Sequence, residues 1–226
     1  MLGPLSVKTI HVGLGTIGLA CLRVAASRPG VEIVGAIDSF SALTGQDAGS
    51  AAGLAKPLGV PIAPDWSVAP AADVALVCTT SQLADLRPVA AAAFERGLDV
   101  VSTCEPLACP PTDDPDAAAL DVLARGARRR LLGVGVNPGF VMDALPLVLA
   151  ASQTTLRAVR VRRVVDASTR RPQLAAKVGA GLTPDEFAAG AKSGDCSISS
   201  MTCPPRKCGC SAANILPSRR QPLSQI

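Results

Sequence analysis

The sequence has no tyrosine, one tryptophan, four phenylalanines and a single histidine in 226 residues. With 2% aromatics, any core it builds is aliphatic, drawn from abundant Ala, Val and Leu. The one histidine, His11, excludes multi-His metal sites and leaves a His-based triad a single candidate, set in an apolar strand pattern. No apolar run approaches the roughly 18 residues that would span a bilayer. The longest candidates, such as 144–151, are short and carry Pro146. The N-terminus lacks the charged start, apolar stretch and cleavage site of a secretory signal, so a cytoplasmic, thiol-reduced protein with no membrane partner is expected. Acid is missing locally too. After Asp195 there is none, although Arg206, Lys207, Arg219, Arg220 and four of the eight cysteines fall there. Taking those four bases from the total of 22 leaves 18 against 18 acids. The formal charge of +4 therefore belongs to the tail, and residues 1–195 are neutral.

What remains is 48% apolar and 18% charged, enough for one to two domains and a sizeable core. Short apolar runs at 7–13, 32–38, 74–80, 99–105 and 130–136 read as buried parallel strands. Between them lie helical patterns over 15–27, around 50–58, from Pro88 in a first turn to Gly97, and over 115–128. Strands alternating with helices of ten to fifteen residues mean βαβ units. The fold class expected is α/β, a Rossmann-type doubly wound parallel sheet over 1–150. Beyond it, 156–166 alternates basic and aliphatic residues, and a helix starts near Pro184 with Thr183 as cap. That reads as the opening of a second, α+β domain over 151–194, incomplete at forty-odd residues. Residues 195–226, rich in Ser, Pro and Cys without periodicity, read as an unrelated disordered tail.

Gly13-Leu14-Gly15-Thr16-Ile17-Gly18 is a GxGxxG that follows a strand and opens a helix. Gly13 permits the tight turn, Gly15 lets backbone approach a pyrophosphate, and Gly18 lets helix and strand pack closely. The helix N-terminus, from Thr16 and Ile17 onward, presents N–H groups and the positive end of its dipole to the anion. Asp38 ends the second strand twenty residues after Gly18, where a carboxylate accepts from ribose hydroxyls and repels a 2′-phosphate. Ser39 and Phe40 follow it, not Arg. NAD is favoured as the cofactor, with NADP the alternative.

In open α/β sheets ligands sit outside the carboxyl ends of the strands. Three such ends are polar: Cys78-Thr79-Thr80-Ser81, Ser102-Thr103-Cys104-Glu105 and Asn137-Pro138-Gly139. Glu105 is the only carboxylate among them, suited to hold an amine or act as a base.

VVSTCEPL (100–107), GVGVNPGFVMDALP (133–146), VVDASTRR (164–171), KVGAGLTPDEF (177–187) and the loop TGQDAGSAAGL (44–54) resemble the 2,4-diaminopentanoate dehydrogenase family. Its members include NAD(P)-dependent amine dehydrogenases, and it is related to dihydrodipicolinate reductase. The resemblance runs from residue 7 to about 194. It implies an enzyme that interconverts a small ketone plus ammonia with an amine, or acts on 2,4-diaminopentanoate. It also implies Glu105 as the catalytic acidic residue, holding the ammonium or iminium and shuttling a proton. Thr79, Thr80 and Ser102 would lie along the cofactor, and Asn137 and Pro138 against its nicotinamide side. Full-length relatives are expected to be homodimers. The family usually has a second Glu after the first, where this chain has Pro106, which bears on positioning or substrate range. The His-His pair and Lys-x-Asp-x-Pro-Ser-Gly-Thr segment of true dihydrodipicolinate reductases are absent, so that reductase activity is the lesser enzyme reading. The chain looks truncated near residue 194, which leaves a non-catalytic dinucleotide-binding remnant as the other alternative.

Two further signals take bland readings. Arginines 157, 160, 162, 163, 170 and 171 read as the wet face of a sheet, with only Phe140 nearby to stack on bases, so no nucleic-acid partner is expected. The tail cysteines are spaced C-x6-C-x4-C-x-C, unlike paired C-x2-C knuckles, and no metal site is assigned.

Overall fold

The computed structural model describes residues 6–40, 42–108, 110, 113–135, 139–155, 179 and 181–193. Strand β1 (Val7–Val12) enters at Val7 and is buried from Thr9 to Val12. It pairs in parallel with β2 (Val31–Ile37) on one side and β4 (Val74–Val77) on the other. The sheet extends through β3 (Ile62–Ala63) at one edge and β5 (Asp99–Ser102) and β6 (Leu131–Gly133) at the other. All pairings are parallel, in the order β3-β2-β1-β4-β5-β6. That is the doubly wound Rossmann order the sequence leads one to expect, reversing direction at β1.

Each face buries its own aliphatic cluster. Ile10, Val12, Ala75, Val77 and Val100 meet Leu86, Ala90 and Phe94 of α3 (Leu83–Glu95) and Leu120 of α5 (Pro115–Ala127). On the other face Leu14, Ala36 and Ile62 meet Leu22 of α1 (Thr16–Ala26) and Ala48 of α2 (Ala48–Ala51). Alanine at Ala36, Ala48, Ala75, Ala90 and Ala93 lets helices approach the sheet closely, so a core nearly without aromatics still closes.

Three sequence expectations shift. The helix expected around 50–58 is α2 alone, a single turn ahead of it. Asp47 accepts N–H bonds from Ser50, Leu58 and Val60, which caps α2 and folds the following loop back on its start. α3 begins at Leu83, so Pro88 lies in its second turn rather than its first. Thr80 fixes that earlier start by accepting the Gln82 N–H at 3.0 Å. β3 was not anticipated, being two residues long between Pro61 and Pro64.

Past β6, a π-turn over Phe140–Ala144 leads into α6 (Leu145–Ala150). Helix α7 (Pro184–Ser193) starts where expected, with Thr183 and Glu186 bonding reciprocally as a capping box. The strand expected over 156–166 and the tail over 195–226 lie outside the described residues.

His11 sits within β1 at 1% exposure, and neither ring nitrogen has a hydrogen-bond partner among the described residues. Burial pushes its pKa from 6.5 down to about 4 and keeps it neutral. Below pH 6.5 the unfolded chain takes up a proton that the folded chain refuses, so stability is lost as pH falls toward 4. The loss is on the order of 3 kcal/mol. Urea unfolding of wild type and His11→Leu at pH 7, 6, 5 and 4.5 is expected to show the variant gaining on wild type as the pH drops.

Candidate functional site

The carboxyl ends of β1, β2, β4 and β5 come to one edge of the sheet. Gly13 N–H donates to Ile37 O at 2.9 Å, Cys78 N–H to Val12 O at 2.7 Å and Thr103 N–H to Val77 O at 3.0 Å. The glycine-rich turn crosses this edge. Gly13 has φ +83°, the left-handed region that glycine enters without strain. A Cβ added there would lie 2.8 Å from Thr79 Cγ2 and 2.9 Å from the Cys78 carbonyl carbon. A Cβ on Gly18 would lie 1.8 Å from Gly13 O, so α1 rests with its first turn directly on the strand end. At Gly15 the same test meets nothing within 4 Å. The three glycines thus divide the work as the motif implies: two for close packing, one for an open approach.

Gly15 is the N-cap of α1 and has no side chain to cap it, and the first turn holds no acidic residue. The positive end of an eleven-residue helix, with the N–H groups of Thr16, Ile17 and Gly18, is left for an outside anion. Thr16 and Ile17 are both exposed here. A pyrophosphate fits this cradle on two grounds, the open space over Gly15 and the uncapped helix end.

Asp38 stands at the end of β2, half-buried, and serves two backbone donors. Leu14 N–H reaches Oδ2 at 2.5 Å and Phe40 N–H reaches Oδ1 at 2.7 Å. Two lone pairs on each oxygen leave capacity for ribose hydroxyls. A groove of about 530 Å³ opens between the cradle and this carboxylate, lined by Leu14, Gly15, Thr16, Leu19, Arg23, Asp38, Phe40 and Leu43. Arg23 is a residue that reading the sequence for a cation after Asp38 missed. It follows Thr16 and Leu19 along one face of α1 at helical spacing, and that periodicity is the signal that could have found it. Its Nη1 donates to Ala52 O at 3.1 Å.

Thr79 is exposed beside Gly13, whereas Thr80 bonds to Asp85 Oδ2 and accepts the Gln82 N–H just ahead of α3. Ser102 is buried, and its hydroxyl accepts the Cys104 N–H at 3.1 Å. Glu105 opens α4 (Glu105–Ala108) with its side chain exposed at the carboxyl edge of β5. Pro106 suits that first turn. Gly133 of β6 lets α4 pack down: a Cβ there would lie 2.4 Å from the Leu107 carbonyl carbon. Cys104 beside it is fully buried, and burial pushes its thiol up, so it is a neutral packing group and not a nucleophile. Asn137 and Pro138 lie outside the described residues. Among the described residues no cluster of His, Cys, Asp or Glu could hold a metal, and no helix is long and apolar enough to cross a membrane.

No family model matches the chain. It is 30% identical over 192 residues to the 2,4-diaminopentanoate dehydrogenase of Acetoanaerobium sticklandii, covering 83% of this chain and 54% of that protein. It is 32% identical over 174 residues to an amine dehydrogenase of Streptomyces virginiae, covering 72% and 47%. Among solved structures, the amine dehydrogenase from Mycobacterium smegmatis superposes with a TM-score of 0.57 at 26% identity, over 66% of this chain and 45% of that one. The chain is similar to the diaminopentanoate and amine dehydrogenases. The resemblance read from its motifs is borne out, and the sheet has the Rossmann-type doubly wound order. The chain spans about half the length of the curated relatives it matches.

The glycine geometry separates two substitutions. Gly18→Ala drives a methyl into Gly13 O and is expected to cost about 1–3 kcal/mol, against the gain that Ala ordinarily brings to a helix. Gly15→Ala meets open space and is expected to cost less. Thermal unfolding of the two variants checks the ranking; equal melting temperatures would contradict it.

Proposed function

We propose that the chain acts as an NAD(P)-dependent oxidoreductase on a carbon–nitrogen bond, in reductive amination of a small ketone by ammonia and the reverse deamination. The observation that carries the reading is the pairing of an open, uncapped glycine cradle with an exposed carboxylate, Glu105, which opens α4 just past β5 at the same sheet edge. The relatives named diaminopentanoate and amine dehydrogenases support the substrate class.

The cradle N–H groups of Thr16 to Gly18 would hold the pyrophosphate, and Asp38 the adenosine ribose. Thr79, Thr80 and Ser102 would lie along the cofactor, and Asn137 and Pro138 would border its nicotinamide side. When bound, the nicotinamide supplies the hydride acceptor or donor. Ketone and ammonia condense to an imine with loss of water, and reduction gives the amine. Glu105 would hold the ammonium or iminium by charge and pass the proton that the condensation requires. Asp38 favours NAD. Arg23 in the same groove is a cation that NADP's extra phosphate could approach, which keeps the phosphorylated cofactor as the alternative.

A second reading is a dinucleotide-binding chain without turnover, which the open, uncapped cradle supports whatever Glu105 does. Following NADH consumption with ammonia and a panel of small ketones, beside an NADH titration, separates the two. Turnover supports the enzyme, and binding without turnover supports the second reading. Two variants sharpen the test. Glu105→Gln is expected to abolish turnover while leaving NADH affinity within about twofold, because its side chain lies outside the cradle. Gly15→Ala is expected to weaken NADH by about tenfold or more, since its methyl occupies the space over the cradle, with the fold retained by circular dichroism. Full turnover by Glu105→Gln contradicts the assignment of that residue.

A further inference from the structure

Beneath the cradle lies a feature that dinucleotide binding leaves unused. Cys21, on α1, and Cys78, at the end of β4, are both half-buried, and their thiols lie close enough to perturb each other's ionisation. Gly18 and Cys21 stand three residues apart on one face of α1. That face is the one laid against β4, since a Cβ on Gly18 would lie 3.5 Å from Cys78 Cβ. Thr103, at the neighbouring strand end, lies close enough to lower the Cys78 pKa.

We propose that Cys21 and Cys78 are a redox-active dithiol that peroxide-class oxidants convert to a disulfide clamping α1 to the end of β4, under the pyrophosphate cradle. Two thiols lose two hydrogens, the peroxide O–O bond breaks, and two waters leave. In the first step the Cys21 thiolate attacks a peroxide oxygen and becomes a sulfenic acid, releasing the first water. In the second, Cys78 attacks that sulfur, the S–S bond forms and the sulfenic oxygen departs as the second water. Cys21 is the attacking group because the neighbouring Cys78 thiol lowers its pKa, against the upward push of burial. Cys78 is pushed up by the same contact with Cys21 and by burial, and serves as the resolving thiol. Cys104, buried with its thiol raised, takes no part.

Closing the bond to an S–S length near 2 Å draws α1 toward the strand end. The contacts at Gly13 and Gly18 leave no slack there, so the movement is passed to the cradle N–H groups. This consequence rests on the cofactor reading above, whereas the disulfide does not.

The test is oxidation of the full chain by hydrogen peroxide, blocking of remaining thiols and peptide mass mapping. A Cys21–Cys78 linked peptide, lighter by two hydrogens and removed by dithiothreitol, is the expected result. It should vanish in Cys21→Ser and in Cys78→Ser and persist in Cys104→Ser. In Cys78→Ser, Cys21 should instead be recovered as sulfenic or more highly oxidised sulfur, which reports on the site even if the second variant is less stable. Recovery of both cysteines as free thiols, or linkage of either mainly to other cysteines, overturns the proposal. An NADH titration of oxidised protein should show at least fivefold weaker binding, reversed by dithiothreitol. Linkage with unchanged affinity overturns the coupling to the cradle. Absence of binding even by the reduced protein is a failure of the cofactor reading, told apart because the linked peptide is read without cofactor.

Discussion

The site hangs on a backbone contact: the first turn of α1 sits so close to the end of β1 that no side chain fits at Gly18. That closeness aims the uncapped N–H groups of Thr16, Ile17 and Gly18 over the sheet edge instead of away from it. It also requires a left-handed turn at Gly13, because any other route from strand to helix would push α1 off the sheet. Leu14 and Leu22 then pack into the cluster that α1 shares with β2 and α2, so the geometry of the turn and the burial of the helix support each other. A widened gap here would loosen the core and misplace the donors together.

Asp38 links the second strand to the same device. Its carboxylate accepts the Leu14 N–H inside the glycine turn and the Phe40 N–H beyond β2. The group that would meet a ribose therefore also braces the loop that would meet the phosphates. A change at Asp38 would act on affinity through both routes. Arg23, across the groove, adds a cation that a motif centred on the strand end does not include.

Most of the fold was legible because its signals are local. Short apolar runs, followed by Gly, Pro or small polar residues, marked β1, β2, β4, β5 and β6, and GxGxxG marked the turn between β1 and α1. What escaped depends on partners distant in sequence. β3 exists because its two residues pair with Ala36 and Ile37, and neither composition nor periodicity reveals so short a strand. α2 starts early because Asp47 gathers N–H groups from residues up to thirteen positions away. α3 runs through Pro88 because Thr80 organises its start and Leu83, Leu86 and Ala90 bury one face, outweighing one lost helix hydrogen bond. In the site, Gly13, Gly15, Gly18 and Asp38 were readable from spacing. The bond from Leu14 to Asp38, the inward face of Cys21 and the seat of α4 on Gly133 were not, since each is a meeting of elements and not a pattern within one.

A dinucleotide whose pyrophosphate sits in the cradle over Gly15 would lie against the N–H groups of the glycine turn and the first turn of α1. Amide hydrogen exchange, followed by mass spectrometry with and without saturating NADH, reads those residues directly. Slowed exchange is expected in the segment carrying Leu14 to Gly18, with a smaller effect around Asp38 to Phe40 and none across α5. Binding of NADH with no added protection between residues 14 and 18, or with protection confined to α3 and α5, would rule the cradle out as the binding site.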